Sequence, residues 1–259
     1  MTGRWKPETI FSSSGTTGMV TSQHAVQNLQ FYLQHARKCF EYFLGDIRNY
    51  NFLALLPSYL ERPGSSLVAM MEYFIRESQS PHSAFYLHNT AQLVADVEKL
   101  KTDGRKTVVW GVAFALLDLA AEFNPDMNHC LVFETGGMKG RRKEVTRMEL
   151  HRVLCDQLNV SKIYSEYGMT ELLSQAYAIE DHRFKTPPWM RVIGREITDP
   201  LNKGLLEETA GINVIDLANW STIAFIETED LGKIFEDGSF EILGRLDNSD
   251  MRGCNLMVY

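Results

Sequence analysis

The chain has 259 residues, room for one large domain or two modest ones. Its 26 basic and 33 acidic side chains leave a formal net charge of −7, so nothing points to nucleic acid as a main partner, while nucleotide binding depends on local groups. No apolar run approaches the roughly 18 residues that suggest a membrane span. The start, Met1-Thr2-Gly3-Arg4-Trp5, has neither the apolar core nor the small-residue cleavage site of a secretory leader.

From Gln23 to Leu44, Val26, Leu29, Leu33, Ala36, Phe40 and Phe43 recur at helical steps, with Gly45 placed to end the helix. Phe52 to Leu56 reads as a buried strand before Pro57. Ser66 to Glu77 is a helix, Ala84 to Leu87 a short strand, and Ala91 to Lys101 a helix closed by Asp103-Gly104. Thr107 to Val112 is a β-branched strand leading into a helix from Ala113 to Phe123, and Cys130 to Phe133 is another strand. Thr146 and Glu149 have capping-box spacing, predicting a helix to about Leu158, and Ile163-Tyr164 opens one more strand. Alternation of this kind predicts an α/β class with a mostly parallel sheet flanked by helices.

The pattern changes near residue 175. Extended runs follow at Ala176 to Ile179, Met190 to Ile193, Ile212 to Leu217 and Thr222 to Ile226. Lys233 to Phe235 and Ser239 to Leu243 flank Asp237-Gly238, a hairpin signal. We therefore expect an α/β core over residues 1–175 and a β-rich subdomain over 176–259.

Four stretches carry candidate chemistry. Ser12-Ser13-Ser14-Gly15-Thr16-Thr17-Gly18 can wrap phosphates through backbone amides and hydroxyls, and it lacks the Gly-Lys-Ser/Thr of a P-loop. Tyr164-Ser165-Glu166-Tyr167-Gly168-Met169-Thr170-Glu171 lies at a strand end, where open α/β sheets bind ligands, and Glu171 is an oxygen ligand suited to magnesium. Glu227-Thr228-Glu229-Asp230-Leu231-Gly232 and Gly244-Arg245-Leu246-Asp247, followed by Arg252-Gly253, offer a carboxylate for vicinal hydroxyls and an arginine for hydroxyls or phosphate. Taken singly, each also reads as an ordinary polar linker or turn.

Taken in order, these stretches resemble the motif series of the adenylate-forming superfamily, which includes acyl-CoA synthetases, luciferases and peptide-synthetase adenylation domains. The likeness spans residues 11 to 253, and the 15 residues from Asp230 to Arg245 resemble the family spacing. Gly136-Gly137, after the strand ending at Phe133, is similar to the family's paired glycines beside the adenine. The resemblance implies ATP and Mg2+ as cofactors and a carboxylic acid, such as a fatty acid, as substrate. It assigns Ser13, Ser14, Gly15, Thr16, Thr17 and Gly18 to the outer phosphates, Thr170 to the α-phosphate and Glu171 to the metal. Asp230 and Arg245 fall on the ribose, and Tyr167-Gly168 beside the adenine.

Two departures stand out. Met19-Val20 replace the Pro-Lys that usually follows the phosphate loop, and the chain stops soon after Gly253, without the family's mobile C-terminal domain and its catalytic lysine. The start is short as well, which raises the expectation of a truncated N-terminus. The short ending resembles the acyl-protein synthetases of bacterial bioluminescence, which pass an activated acyl group to a cysteine of their own. In Arg252-Gly253-Cys254-Asn255-Leu256 that cysteine is Cys254, with Arg252 placed to favour its thiolate. An acyl-receiving partner protein is a further implication. Alternatives are an acyl- or aryl-CoA ligase and a nucleotide-binding homologue without catalysis.

The remaining groups are less telling. Cys39, Cys130 and Cys155 read as buried free thiols of a cytoplasmic protein, and the seven histidines show no metal-ligand spacing. His24, just after the phosphate loop, is a candidate phosphate contact, and Arg141-Arg142-Lys143 reads as a solvated helix start.

Overall fold

The computed structural model describes residues 4–13, 22–56, 64–87, 89–136 and 146–246. Strands β1 (Thr9–Ser12) and β2 (Gln23–Val26) form a small antiparallel ribbon in which Thr9 faces Val26 and Ser12 faces Gln23. The expected helix over 23–44 is therefore shorter at its start: α1 runs from Leu29 to Leu44. The physical reason is pairing and capping. Gln23–Val26 satisfies its backbone against β1, and Asn28 accepts a hydrogen bond from the Phe31 amide at 2.7 Å, as a helix N-cap does. Gly45 closes the helix, its amide donating to Glu41 O at 2.9 Å.

The main sheet follows. β3 (Tyr50–Leu55), β4 (Ala84–Tyr86), β5 (Lys106–Val112), β6 (Cys130–Thr135) and β7 (Ile163–Tyr167) are parallel, and β8 (Ala176–Ala178) joins β7 antiparallel at the edge. Their order is β4-β3-β5-β6-β7-β8. Helices α2 (Ser66–Ser78), α3 (Thr90–Lys99), α4 (Ala113–Phe123) and α5 (Arg147–Gln157) connect them. The capping box at Thr146 and Glu149 is present, and α4 spans the residues its sequence predicts. The run from Ala176 thus forms the antiparallel edge of the main sheet rather than joining the strands that follow.

Burial of both faces explains why these strands are rich in Val, Phe, Leu and Trp. Trp110 of β5 stacks on Phe133 of β6 with ring centres 4.7 Å apart, and Phe133 stacks on Tyr164 of β7 at 4.9 Å. Phe40 of α1 meets Phe52, Phe74 and Tyr50 at 5.3 to 5.4 Å. Such contacts add to the area burial that dominates folding and hold the sheet rigid under its loops.

A second sheet is antiparallel: β9 (Met190–Arg195), β10 (Ala210–Asp216), β11 (Phe225–Ile234) and β12 (Phe240–Arg245), in the order β12-β11-β10-β9. The hairpin expected around Asp237-Gly238 joins β11 to β12. The extended run expected from Thr222 becomes a strand at Phe225, because the Thr222 amide donates to Asn219 O at 3.2 Å in a turn. A separate core, including Tyr167, Leu172, Phe184, Ile212, Val214 and Phe240, lies under this sheet.

Asp216 fastens the two layers together. It ends β10 with 0% exposure, and its carboxylate accepts from the Leu173 amide at 2.8 Å, the Ser174 amide at 2.9 Å, the Ser174 hydroxyl at 2.6 Å and the Ala218 amide at 3.1 Å. Ser174 Oγ is also 2.9 Å from His35 Nε2 on α1. Replacing Asp216 by Ala strands these donors in a buried site, so unfolding free energy is expected to fall by about 3 kcal/mol or more. Urea denaturation reads this directly, and a loss below about 1 kcal/mol contradicts the role assigned to the carboxylate.

Candidate functional site

The candidate residues gather about the carboxyl ends of β6 and β7, where Tyr167 and Asp216 link the two sheets. The first element is the base of the hydroxyl- and glycine-rich loop. The Ser13 amide donates to Ser22 O at 2.9 Å, and the Ser22 amide donates to Ser13 Oγ at 2.9 Å, closing the ribbon below the loop. Of the sequence candidates there, Ser13 is described, whereas Ser14, Gly15, Thr16, Thr17 and Gly18 lie outside the described residues, as do Gly137 and Cys254.

Ser22 Oγ donates to Glu171 Oε1, so the loop base reaches the turn after β7. The backbone carbonyl of Glu171 accepts from Asn219 Nδ2 at 2.6 Å. Asn219 in turn accepts from the Thr222 hydroxyl, which lies 3.3 Å from His24 Nε2. Burial lowers the basicity of His24, against partial compensation from Asn219 and Glu171. A cleft of about 510 Å³ opens beside this cluster, lined by His24, Asn28, Phe31, Asn219, Trp220 and Thr222 among others.

Tyr167 supplies the second link. Its hydroxyl donates to Asp230 Oδ2 at 2.8 Å, and its ring packs against Phe240 at 5.4 Å and Phe184 at 5.8 Å. Asp230 faces Arg245 across the β11–β12 ladder, with Arg245 Nε 3.8 Å from Asp230 Oδ1 and Arg245 Nη2 2.6 Å from Glu229. Burial raises the pKa of Asp230, opposed by the Tyr167 hydrogen bond and the Arg245 charge. The result is a sheltered carboxylate with an exposed arginine beside it, a pair able to hold vicinal hydroxyls. Thr170 is half-buried in the turn between Tyr167 and Leu172.

The third element is the end of β6. Gly136 follows Thr135 with φ +70°, a left-handed conformation suited to glycine. Thr135 Oγ1 donates to Glu166 Oε2 across the β6–β7 pair. A neighbouring carboxylate, Glu134, is buried with Arg147 Nε at 3.0 Å and His151 Nε2 at 3.5 Å. Burial opposes its charge, but Arg147 and His151 hold it ionised, below the usual carboxylate range.

Glu171 is a single carboxylate, and among the described residues no group of three His, Cys, Asp or Glu side chains could hold a metal ion. Its oxygen donors suit a hard cation such as magnesium, which keeps water or phosphate oxygens as its other ligands. No helix among the described residues is long and apolar enough to cross a membrane.

The sequence singled out Tyr167, Gly168, Thr170, Glu171, Asp230, Arg245 and the loop base as candidates. It missed Ser22, Thr135, Asp216 and Asn219, whose contacts cross 31 to 149 positions of chain. A polar residue at a strand end is too common a signal to single them out.

No protein-family model matches the sequence, and no curated protein matches it. Solved structures match by fold. ATP-bound MatB from Rhodopseudomonas palustris is 17% identical with a TM-score of 0.67, covering 91% of this chain and 47% of its own. The O-succinylbenzoate coenzyme A synthetase MenE from Bacillus subtilis, in complex with ATP and magnesium ion, is 17% identical with a TM-score of 0.65, covering 91% and 49%. The amide bond synthetase McbA from Marinactinospora thermotolerans is 15% identical with a TM-score of 0.64, covering 92% and 49%. The chain spans about half the length of these proteins and shares the fold of that half.

Proposed function

We propose that this chain binds ATP with magnesium and activates a carboxylic acid as an acyl-adenylate, in the manner of an AMP-forming ligase of the adenylate-forming superfamily. The observation that carries this reading is convergence. The base of the serine–threonine–glycine loop reaches Glu171 through Ser22, and Tyr167, the last residue of β7 before that turn, reaches Asp230, which faces Arg245. Motif order along the chain adds support, as does the shared fold with structures described as bound to ATP.

In this reading the loop and Thr170 hold phosphate oxygens, Asp230 and Arg245 hold the ribose hydroxyls, and Gly136-Gly137 and Tyr167-Gly168 flank the adenine. Glu171 holds magnesium, which supplies neutralisation of phosphate charge. The substrate carboxylate oxygen attacks the α-phosphorus. The bond from that phosphorus to the oxygen bridging the β-phosphate breaks, and pyrophosphate leaves with the electron pair. The chain's own contribution is positioning and electrostatic stabilisation. The acyl group then passes to a thiolate, which attacks the acyl carbon and expels AMP. Cys254 is our candidate acceptor, with a partner protein's thiol or free coenzyme A as the other acceptors. Met19-Val20, standing where a lysine is usual, favour one second reading, a nucleotide-binding homologue without turnover.

ATP–pyrophosphate exchange that depends on an added fatty or aryl acid is the expected result for the purified chain. ATP binding by calorimetry with no exchange for any acid tested would select the non-catalytic reading. Cys254→Ser is expected to keep exchange and lose covalent acyl label in mass spectrometry; full labelling of that variant rejects Cys254 as acceptor. Asp230→Ala is expected to weaken ATP binding by about tenfold or more, the loss of one charge-assisted contact. Unchanged affinity would remove Asp230 from the ribose site.

A further inference from the structure

Glu166 has no part in the reaction described above, yet it stands under both turns assigned to the nucleotide. It is 6% exposed at the carboxyl end of β7. Its Oε2 accepts from Thr135 Oγ1, and Thr135 directly precedes the left-handed Gly136. Its Oε1 points at the place a Cβ on Gly168 would occupy, so that any side chain there would overlap it. Gln175 flanks the same spot, with Cγ 3.5 Å from where that Cβ would be and a buried Oε1 that has no hydrogen-bond partner. One carboxyl therefore touches the last residue before the turn after β6 and the first residue after β7.

We propose that Glu166 is a positioning residue for the nucleotide: by holding Thr135 and abutting Gly168, its carboxyl sets the spacing between Thr135-Gly136 and Gly168. The inference rests on the nucleotide-binding reading and concerns how that site is regulated by pH.

The surroundings favour the neutral form. Burial pushes the Glu166 carboxyl up to about 7, opposed by the Thr135 hydrogen bond and assisted by the charge of Glu134 on β6. Tyr177 of β8 and Tyr32 of α1 also feel its charge, and burial keeps both phenols protonated. Arg147 of α5 is engaged by Glu134 at 3.0 Å. A carboxyl whose folded pKa lies above its unfolded value stabilises fully below the unfolded value and loses that contribution as pH rises through about 7. Ionisation puts a charge met only by the Thr135 hydroxyl beside Gly168, and the expected response is a shift of Gly168 away from it.

The test is ATP affinity by calorimetry at several pH values from about 6 to 8.5, with magnesium in excess so that the nucleotide itself does not titrate. Wild type is expected to weaken several-fold across pH 7. Glu166→Gln, neutral at every pH, is expected to hold the low-pH affinity throughout. Glu166→Ala is expected to bind about tenfold more weakly at pH 6. Thermal melts of each variant report folding. If Glu166→Ala does not fold, Thr135→Val decides in its place, with an expected loss of about threefold at pH 6. The inference is overturned if Glu166→Gln keeps the wild-type pH dependence, or if the folded Ala or Val variant binds ATP as wild type does. Absence of ATP binding by wild type overturns the nucleotide reading and the inference with it, whereas ATP binding with unaltered variants overturns the inference alone.

Discussion

A carboxylate removed from water destabilises a fold unless donors surround it, and Asp216 is such a group at the point where the two sheets meet. Its oxygens are saturated by Leu173, Ser174 and Ala218, so β10 can end only where the 172–175 turn already lies. Three residues later Asn219 grips the carbonyl of Glu171, and Ser22 grips its side chain. The position of Glu171 follows from this corner. A shift of β10 by one residue would break these bonds together and point the strand's apolar residues outward.

The parallel sheet supplies the other half of the constraint. Its strands are buried on both faces, and the stacked rings of Trp110, Phe133 and Tyr164 leave little freedom to slide. Loops at its carboxyl ends are therefore displayed from a rigid edge. Tyr167 joins that edge to the second sheet. Its ring belongs to the core under β9–β12, while its hydroxyl orients Asp230. One residue thus contributes packing to one layer and geometry to the site. Its neighbour Glu166 is buried as well, and burial pushes its carboxyl up to about 7.

Much of this was legible before the structure. The helix from Ala113 to Phe123, the capping box at Thr146 and Glu149, and the hairpin at Asp237-Gly238 all carry local signals, because capping and turn chemistry act within a few residues. The misreading of Gln23–Val26 as helix has an equally local cause. Val26 and Leu29 are three apart, which mimics a helical step, but Val26 belongs to a strand and Leu29 opens the helix beyond the Asn28 cap. The partner strand β1 is four residues long, too short for a periodic signal to identify it.

The sequence by itself determined the α/β class, the change to antiparallel structure in the C-terminal part, and the candidacy of Tyr167, Glu171, Asp230 and Arg245. These follow from periodicity, turn residues and motif order, all of which are properties of neighbouring positions. Tertiary structure alone decided that Ser22 reaches Glu171, that Thr135 meets Glu166 beside Gly168, and that Asp216 collects donors from a turn more than forty positions away. Such contacts depend on strand order and on where each sheet ends. No local pattern encodes them, because a serine, threonine or aspartate at a strand end looks the same whether or not a partner is waiting across the fold.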